Sequence, residues 1–427
     1  MATLHFAHKD APLPPPAERL QMVGVAGAGP DDPLPPNRLL WGDNAALMAA
    51  LLPSLEAQVD LIYADPPFFT NRRYRRRVGR GEDSRQPATW ALAPGYEDRW
   101  PSLDAYLAFL YPRLRLMHRL LAPHGTLYLH LDWHAAAYAR VLLDEIFGPR
   151  RLLNEIVWVY HGPSPIRRAF NRKHDTILVY TKGEHYTFDA DAVRVPYNPN
   201  TVATFRASPK AGFGKVPDLQ RGKVPEDWWY FPVVARLHRE RTGFPTQKPE
   251  ALLERILRAS SRPGDLVADF FCGSGTTAVV AARLGRRFLA ADATWQAIQT
   301  SYLRLLRAGV PFRLETTTPL PVQPFPQGCA PHVHDPRVAL PPCAQEVAEG
   351  WEVGQPRGDV FYSLAGAVRV PRSPQPPAAS LPLPRQRPVH VRVFTARGEI
   401  WTSAAGVPHN PPCPPDESDS PPPARSR

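Results

Sequence analysis

Between residues 37 and 314, short apolar runs alternate with helical segments, and this alternation limits the possible folds more than any other feature. The apolar runs are typical of buried strands and lie at 59–64, 125–131, 154–160, 176–181, 266–270 and 287–291. The helical segments lie at 47–55, 103–121, 135–147, 250–260, 276–284 and 295–307. This alternation predicts an α/β fold with a doubly wound, mostly parallel sheet. Because ligands of such sheets bind at the carboxyl ends of the strands, we expect the functional residues there.

Proline-rich flanks surround this segment. The chain has 53 Pro and 27 Gly among 427 residues, and proline tracts occur before residue 37 and after residue 314. Such tracts favour polyproline II and cannot form the interior of a sheet. We therefore predict a disordered segment over 1–36, an ordered domain over 37–314 and a proline-rich C-terminal region over 315–427. Alternating apolar residues at 359–370 and 389–403 indicate a small β element within that last region.

Charge and cysteine content exclude several classes of protein. The formal net charge of +11 and the isoelectric point of about 9.7 predict a polyanionic partner such as nucleic acid. No apolar run reaches the roughly 18 residues of a membrane-spanning helix, and residues 1–16 contain no apolar signal-peptide core. The four cysteines form no Cys-x-x-Cys pair, which argues against a disulfide framework and a zinc ribbon. We expect a cytoplasmic protein with no membrane partner and no metal.

The strand predicted at 59–64 is followed directly by Asp65, Pro66, Pro67 and Phe68. The two prolines fix φ and remove backbone donors, so the carboxylate stands on a rigid turn. Asp65 and the Pro66 carbonyl can accept the two N–H bonds of an exocyclic amine while Phe68 stacks on the ring that carries it. A simple capped turn explains an isolated Asp-Pro-Pro about as well, but the aromatic residue at a strand end favours a substrate site.

The second strand end reads DFFCGSGTT over residues 269–277 and leads into a helix. The glycines let a ligand approach the backbone, and the helix N-terminus offers N–H groups to an anion. Asp292 ends the next strand 19 residues after Gly273, close to the usual interval between a glycine turn and a ribose-binding acid. Without a third glycine or a GxxxxGK[ST] sequence, S-adenosylmethionine fits better than a dinucleotide or a nucleoside triphosphate. An ordinary strand–helix turn is the alternative.

Thr246 and Lys248 belong to the sequence TQKP, which precedes the helix predicted at 250–260. Lys248 can neutralise the methionine carboxylate of such a cofactor. Taken alone, the motif is explained better by a helix that starts at a proline beside a solvated lysine.

Together these motifs resemble the amino-methyltransferases of DNA, in the permuted arrangement called the β class. The matching segments are WGDN at 41–44, VDLIYADPPF at 59–68, LAPHGTLYLHLDWH at 121–134, LLDEIFG at 142–148, LLNEIVWVY at 152–160, KHDTILVYTKG at 173–183, ERTGFPTQKPEALLERIL at 240–257 and DFFCGSGTT at 269–277. They cover about 37–310 in matching order and spacing, and the DPPF motif precedes the glycine turn, as the β arrangement requires. Phe69 and Phe270 depart from the family pattern without removing a functional group.

The resemblance implies a Rossmann-like, class I methyltransferase that uses S-adenosylmethionine and acts on double-stranded DNA. The target base is flipped out of the duplex, and its amine attacks the methyl group in line, without a covalent intermediate or a metal. The DPPF motif is then catalytic. The residues implied to hold the cofactor are Asp269, Phe271, Gly273, Gly275, Thr276 and Asp292, with Thr246 and Lys248 at the methionine end.

The leading aspartate of DPPF resembles adenine-N6 enzymes, whereas cytosine-N4 enzymes more often have serine there. We therefore predict a site-specific, adenine-specific DNA methyltransferase of the restriction-modification type. Cytosine-N4 methylation on the same fold and a noncatalytic DNA-binding modification subunit are the alternatives. The presence of both motifs argues against the noncatalytic subunit.

Seven arginines lie between residues 72 and 85, and further basic residues lie at 161–173. Beside a substrate pocket, such residues are suited to bind phosphates. The residues predicted to contact DNA are Arg72, Arg73, Arg75, Arg76, Arg77, Arg167 and Arg168. The β arrangement places the target-recognition region between the two motif blocks, at about 185–238. A restriction endonuclease partner and a homodimer are further expectations.

Overall fold

A 15-stranded sheet dominates the computed structural model, which describes residues 2–16, 20–78, 91–162, 166–207, 218–235, 238–334, 336–369, 375–382 and 389–405. The strands are β1 (Gln21–Ala26), β2 (Arg38–Trp41), β3 (Val59–Ala64), β4 (Arg72–Val78), β5 (Ala91–Asp98), β6 (Leu121–Leu131), β7 (Leu152–Val159), β8 (His174–Thr181), β9 (Trp228–Tyr230), β10 (Leu266–Asp269), β11 (Arg287–Asp292), β12 (Phe312–Thr316), β13 (Val322–Pro324), β14 (His332–His334), β15 (Arg337–Ala339), β16 (Ala348–Arg357), β17 (Val360–Val368), β18 (Ser380–Pro382), β19 (Val389–Thr395) and β20 (Ile400–Ala405). The helices are α1 (Asn44–Leu55), α2 (Leu103–Leu120), α3 (Ala136–Phe147), α4 (Pro199–Ala207), α5 (Glu250–Ser260), α6 (Thr276–Arg283), α7 (Trp295–Arg307) and α8 (Pro342–Val347).

The strand order of the sheet is β13-β20-β19-β16-β17-β1-β12-β2-β11-β10-β3-β6-β8-β7-β9. In its central part, from β12 to β6, every neighbouring pair is parallel. Strands β6, β8 and β7 are joined by antiparallel pairs. The predicted α/β class with a mostly parallel sheet at the site is confirmed.

Helices cover both faces of the central strands. Residues 62 and 64 of β3 pack into one core with α1, α2 and α3. Residues 61 and 63 point to the opposite face and pack into a second core with α5, α6 and α7. This alternation is the geometry of a strand, in which successive side chains project to opposite faces. The sheet is therefore doubly wound, as predicted.

The N-terminal segment differs from the prediction of disorder over 1–36. Strand β1 pairs antiparallel with β12 and parallel with β17, and Val25 and Ala26 are buried. Further upstream, Lys9 forms an ion pair of 2.5 Å with Glu145 of α3, and the ring of Phe6 packs edge-on against Tyr111. The prediction was wrong here because QMVGVA is a proline-free run between two proline tracts, and the sheet offers it two partner strands.

The C-terminal region adds strands β16, β17, β19, β20 and β13 to the same sheet, through the contact of β17 with β1. A further three-stranded sheet contains β14, β15 and β18. The β structure is thus more extensive than the small element predicted, and residue 314 lies inside β12. A disulfide that the sequence analysis did not anticipate joins Cys329 to Cys343. Residues 406–427 lie outside the described ranges.

Candidate active site

A cavity of about 770 Å³ opens at the carboxyl ends of β3, β10 and β11. The predicted catalytic and cofactor residues line it together, with the exception of Gly275. Those at the cavity wall are Asp65, Pro66, Pro67, Phe68, Thr246, Lys248, Asp269, Phe271, Gly273, Thr276 and Asp292. Two motifs separated by about two hundred residues therefore form one site, as expected for strand ends that meet at one edge of a parallel sheet.

Asp65 forms an ion pair with Lys248, from Oδ2 to Nζ. Both side chains are largely buried, with 16% and 9% of their surfaces exposed. The other carboxylate oxygen, Oδ1, is buried and has no hydrogen-bond partner within the described part of the chain. A buried acceptor without a donor is costly, so this oxygen favours an incoming N–H group. The Lys248 ammonium also lies 5.3 Å from the centre of the Phe68 ring.

The turn that follows Pro67 is held by the carboxylate of Asp98, at the end of β5. Its oxygens accept the backbone N–H groups of Phe68, Phe69 and Thr70 at 3.1, 3.0 and 2.8 Å. They also accept the Thr70 hydroxyl and the Trp100 indole N–H, both at 2.7 Å. Phe69 has a φ of +67°, which a bulky residue adopts only when its surroundings enforce it. Asp98 therefore fixes the conformation of the DPPF turn.

A buried hydrogen-bond network lies beneath the ring of Phe68, which stacks on His130 with 5.8 Å between ring centres. His130 bonds the Tyr63 hydroxyl through Nδ1 at 2.8 Å and Asp175 through Nε2 at 3.2 Å. The Tyr160 hydroxyl donates to the other oxygen of Asp175 at 3.0 Å. Burial pushes the pKa of Asp175 upward, but the hydrogen bond from His130 and nearby positive charge outweigh it and leave the pKa below its usual value. The network gives Phe68 a rigid support.

Asp269 ends β10 and stabilises the start of the glycine turn. Its carboxylate accepts the N–H of Phe271 at 3.0 Å and the hydroxyl of Thr277 at 2.6 Å. Burial raises the pKa of Asp269 to about 7, and the neighbouring carboxylates Asp65 and Asp292 act in the same direction. Asp269 thus acts on the shape of the turn through hydrogen bonds within it.

Asp292 reaches back from the end of β11 to the same turn. One of its oxygens accepts the N–H of Gly273 at 3.0 Å, and the other accepts the N–H and hydroxyl of Thr294 at 2.8 Å each. Burial raises the pKa of Asp292. The carboxylate lies at the cavity wall, where it can also accept hydroxyl groups of a ligand.

Gly275 and Thr276 begin α6 beneath the cavity. Gly275 has a φ of +74°, and a Cβ at this position would lie 2.6 Å from the Ser301 hydroxyl, so only glycine fits. The Thr276 hydroxyl donates to the backbone carbonyl of Lys248 at 3.2 Å and accepts from the buried Arg304 guanidinium at 3.0 Å. Thr276 thereby joins the glycine turn to the segment that carries Lys248.

A comparison with known protein families assigns the chain to one of them. A family model described as a DNA methylase, of the N6/N4 methyltransferase type, matches residues 59–303. This range contains both motifs and more than half of the chain. The chain belongs to the N6/N4 DNA methylase family.

Two type II methyltransferases and an adenine methyltransferase are among its relatives. M.HpaI of Haemophilus parainfluenzae is 30% identical over 251 residues, which cover 58% of this chain and 69% of M.HpaI. M.BglII of Bacillus subtilis is 30% identical over 277 residues, covering 62% and 68% of the two chains. The DNA adenine methyltransferase YhdJ of Escherichia coli K12 is 30% identical over 252 residues, covering 58% and 76%.

Solved structures of DNA methyltransferases resemble the chain more distantly. The complex of M1.HpyAVI with SAM has a TM-score of 0.39 and 20% identity, and covers 63% of this chain and 98% of its own. The cytosine-N4-specific PvuII DNA methyltransferase has a TM-score of 0.42 and 19% identity, with coverages of 63% and 86%.

Around the cavity mouth, the methyltransferase presents a hairpin formed by β4 and β5. The rings of Tyr74 and Tyr96 stack at 4.7 Å between centres, and both line the cavity. The Tyr96 hydroxyl bonds the hydroxyl of Thr246 at 3.2 Å. Thr246, which has a φ of +56°, therefore contacts the hairpin as well as the cavity. The aromatic pair was not anticipated from the sequence.

The arginines predicted to contact DNA occupy different positions. Arg72 lines the cavity, Arg75 is exposed, and Arg73 forms an exposed ion pair of 2.8 Å with Glu97. Arg76 and Arg77 lie in β4, with side chains outside the described set.

A second basic segment lies between β7 and β8, where Arg167 and Arg168 are exposed. Next to them Arg172 stacks over the Trp133 ring at 4.2 Å, and both residues line the cavity. Phe170 is 98% exposed, which is unusual for an aromatic side chain. This surface combines positive charge with aromatic rings at the mouth of the site.

Sequence reasoning missed Asp98 and His130 as parts of the site. Asp98 lies in the sequence YEDRW, where no motif or spacing marks it. His130 lies in a segment that the family resemblance covers, but nothing in the sequence pairs it with Asp175. No cluster of three or more candidate metal ligands occurs among the described residues. None of the helices within the described ranges is long and apolar enough to cross a membrane.

Proposed function

We propose that this enzyme transfers a methyl group from S-adenosylmethionine to the N6 amine of adenine in double-stranded DNA, at a specific short site. The observation that carries the proposal is the position of Asp65 Oδ1, a buried acceptor in the same cavity as the glycine turn and Asp292. The buried acceptor suits an amine donor, and the glycine turn with Asp292 suits a nucleoside cofactor.

The cavity fits S-adenosylmethionine in size and chemistry. Its volume of about 770 Å³ lies within the range of small-molecule sites and leaves room for a base beside the cofactor. Asp292 offers a carboxylate for ribose hydroxyls, and Gly273 lets a ligand approach the backbone of the turn. Phe271 presents an aromatic ring at the cavity wall. When bound, S-adenosylmethionine supplies an electrophilic methyl group on sulfur.

The chain's own residues then orient the target amine. Asp65 Oδ1 and the Pro66 carbonyl accept its two N–H bonds, and this leaves the nitrogen lone pair directed at the methyl group. Phe68 stacks on the base and is supported from below by His130. After transfer, Asp65 stands next to the proton that the methylated amine must lose. Proximity and fixed charges provide the catalysis.

The base must leave the duplex to reach this cavity. The exposed arginines at 72–75 and 167–172, together with the rings of Trp133 and Phe170, are positioned to hold the DNA backbone around the opened site. The region at 185–238 is our proposed recognition segment. A restriction endonuclease partner, a homodimer and a cytoplasmic location stay predictions.

Adenine is favoured over cytosine by the leading aspartate of DPPF and by the similarity to YhdJ, a DNA adenine methyltransferase. Cytosine-N4 methylation uses the same arrangement of acceptors and is the alternative.

The test is methyl transfer from isotope-labelled S-adenosylmethionine to unmethylated genomic DNA, with the product nucleosides resolved by mass spectrometry. We expect N6-methyladenine from the wild type and from Asp359→Asn, an exposed control, and none from Asp65→Asn. N4-methylcytosine would retain the mechanism and correct the base. A lack of both products from several genomic DNAs would argue against the proposal.

A further inference from the structure

Lys248 has a different partner from the one that its motif implies. The family resemblance places this lysine at the methionine end of the cofactor. In the structure, Nζ instead binds Oδ2 of the catalytic Asp65. Nζ also lies 3.4 Å from the backbone carbonyl of Thr246.

This ion pair weakens Asp65 as an acceptor. A positive charge in contact with a carboxylate withdraws charge from both oxygens, including the Oδ1 atom that faces the amine. A target amine would therefore be polarised more strongly by Asp65 if Lys248 moved away. The catalytic group is thus held in a less active state by a neighbouring residue.

The flexible member of the pair is the lysine. Asp65 is followed by two prolines, which restrict the backbone of the turn. The backbone of Lys248 is bound by the Thr276 hydroxyl, which fixes the segment beside the glycine turn. The four-carbon side chain is the part that can change its direction while both backbones stay in place.

We propose that Lys248 is a positioning residue that exchanges its partner, from the Asp65 carboxylate to the carboxylate of the cofactor's methionine portion. Cofactor binding then releases Asp65 to receive the target amine. This inference rests on the proposed function. It predicts that the enzyme accepts the flipped base better after the cofactor, and by reciprocity that the flipped base strengthens cofactor binding.

The first test observes the lysine directly, without DNA. The chain has seven lysines, so carbon-13 labelling at lysine Cε gives a simple NMR spectrum. Lys248→Arg identifies the signal of Lys248. We expect this signal to shift with S-adenosylhomocysteine but much less with 5′-methylthioadenosine, which lacks the amino-acid portion. Lys182, which donates to the Leu121 carbonyl away from the cavity, is the internal control. Equal shifts with both ligands would overturn the exchange.

The second test is a double-mutant cycle on ligand affinity, measured by calorimetry. Asp65→Asn frees Lys248 in advance, so S-adenosylhomocysteine should bind about three- to tenfold more tightly, whereas the affinity for 5′-methylthioadenosine should not change. In the Lys248→Met background the same Asp65 substitution should not change the affinity for S-adenosylhomocysteine. If it tightened binding there as well, simple repulsion between Asp65 and the ligand would explain the result and the exchange would be wrong.

A functional readout separates positioning from a structural role. Lys248→Arg keeps the positive charge and should preserve the difference between the two ligands in promoting base flipping, whereas Lys248→Met should lose that difference. Base flipping is measured by the fluorescence of 2-aminopurine, which replaces the target adenine in a duplex. The duplex contains the recognition site, identified by sequencing DNA that the enzyme has methylated. If neither ligand binds the wild type, the proposed function fails. If both bind and the lysine signal does not respond, only this inference fails.

Discussion

The carboxylate of Asp98 offers the sharpest test of how the DPPF turn is held. It is nearly fully buried and receives five donors, of which three are consecutive backbone N–H groups. We consider Asp98→Asn, which keeps the size of the side chain and replaces one acceptor oxygen with an NH₂ donor. The Phe69 N–H and the Trp100 indole bind Oδ1, whereas the Phe68 N–H and both donors of Thr70 bind Oδ2.

In either orientation of the new amide, at least two donors face another donor. Hydrogen bonds to an ionised acceptor contribute about 1.5–3 kcal/mol each. Two of them give about 3–6 kcal/mol, and relaxation of the turn reduces this sum, so we expect a loss of about 3 kcal/mol in the free energy of unfolding. The left-handed conformation of Phe69 is then no longer enforced, so the turn relaxes away from it.

The assay combines denaturant unfolding with steady-state methyl transfer. A displacement of about 1 Å at Asp65 and Phe68 predicts a fall in kcat of about a hundredfold. Binding of S-adenosylhomocysteine should be nearly unchanged, because four of the five hydrogen bonds tie Asp98 to the DPPF turn. Asp104→Asn, an exposed carboxylate at the start of α2, is the matched control and should alter neither quantity appreciably. A loss below about 1 kcal/mol with turnover within twofold of wild type would refute the role of Asp98.

Three further predictions concern the glycine turn and the basic surface beside the cavity. Gly275→Ala places a Cβ 2.6 Å from the Ser301 hydroxyl at a φ of +74°, and it should weaken S-adenosylhomocysteine binding, measured by calorimetry, by more than about tenfold. The control is Gly309→Ala, which has a φ of +65° and no described atom within 4 Å of its Cβ. Its free energy of unfolding should fall only by the cost of the left-handed backbone conformation, and ligand affinity should not change. Burial raises the pKa of Asp269 to about 7, so between about pH 4 and 7 the folded state binds a proton that the unfolded state has lost, and the free energy of unfolding falls as the pH rises. Asp269→Asn should therefore gain stability relative to wild type, on the order of 2 kcal/mol between pH 5 and 7. A stability difference between variant and wild type that does not change with pH would contradict this. Arg172→Ala should reduce the slope of log K against log salt for DNA binding by about one without altering cofactor binding, and an unchanged slope would exclude a phosphate contact.

The sequence could predict those parts of the site whose chemistry lies within a few consecutive residues. The DPPF turn combines a carboxylate, two prolines and an aromatic ring directly after an apolar strand. The glycine turn at 269–277 is also formed by consecutive residues, and Asp292 follows it after one helix and one strand. Because parallel strands bring their carboxyl ends to one edge, this local information also predicted that the two motifs meet.

The contacts that hold these motifs could not be predicted in the same way. Lys248 and Asp65 are 183 residues apart, and Asp98 lies 28 to 30 residues from the three backbone N–H groups it binds. No periodicity or spacing relates such positions, because each pairing depends on how the intervening helices and strands pack. Lys248 shows this most clearly, since its motif implied one partner and the packed structure supplies another.

The structure of the N-terminal flank also depends on contacts between residues remote in sequence. The apolar run at 21–26 was hidden between proline tracts, since six residues without a partner have little preference for a strand. They become β1 because the edges of β12 and β17 satisfy their backbone hydrogen bonds.

The fold class, the strand ends and the functional groups placed on them thus followed from local sequence, because hydrophobic pattern and turn chemistry act over short distances along the chain. Packing established which charges pair, which carboxylate holds the DPPF turn and which strands extend the sheet. Those choices depend on burial and on distances between residues remote in sequence, and both exist only after the chain has packed.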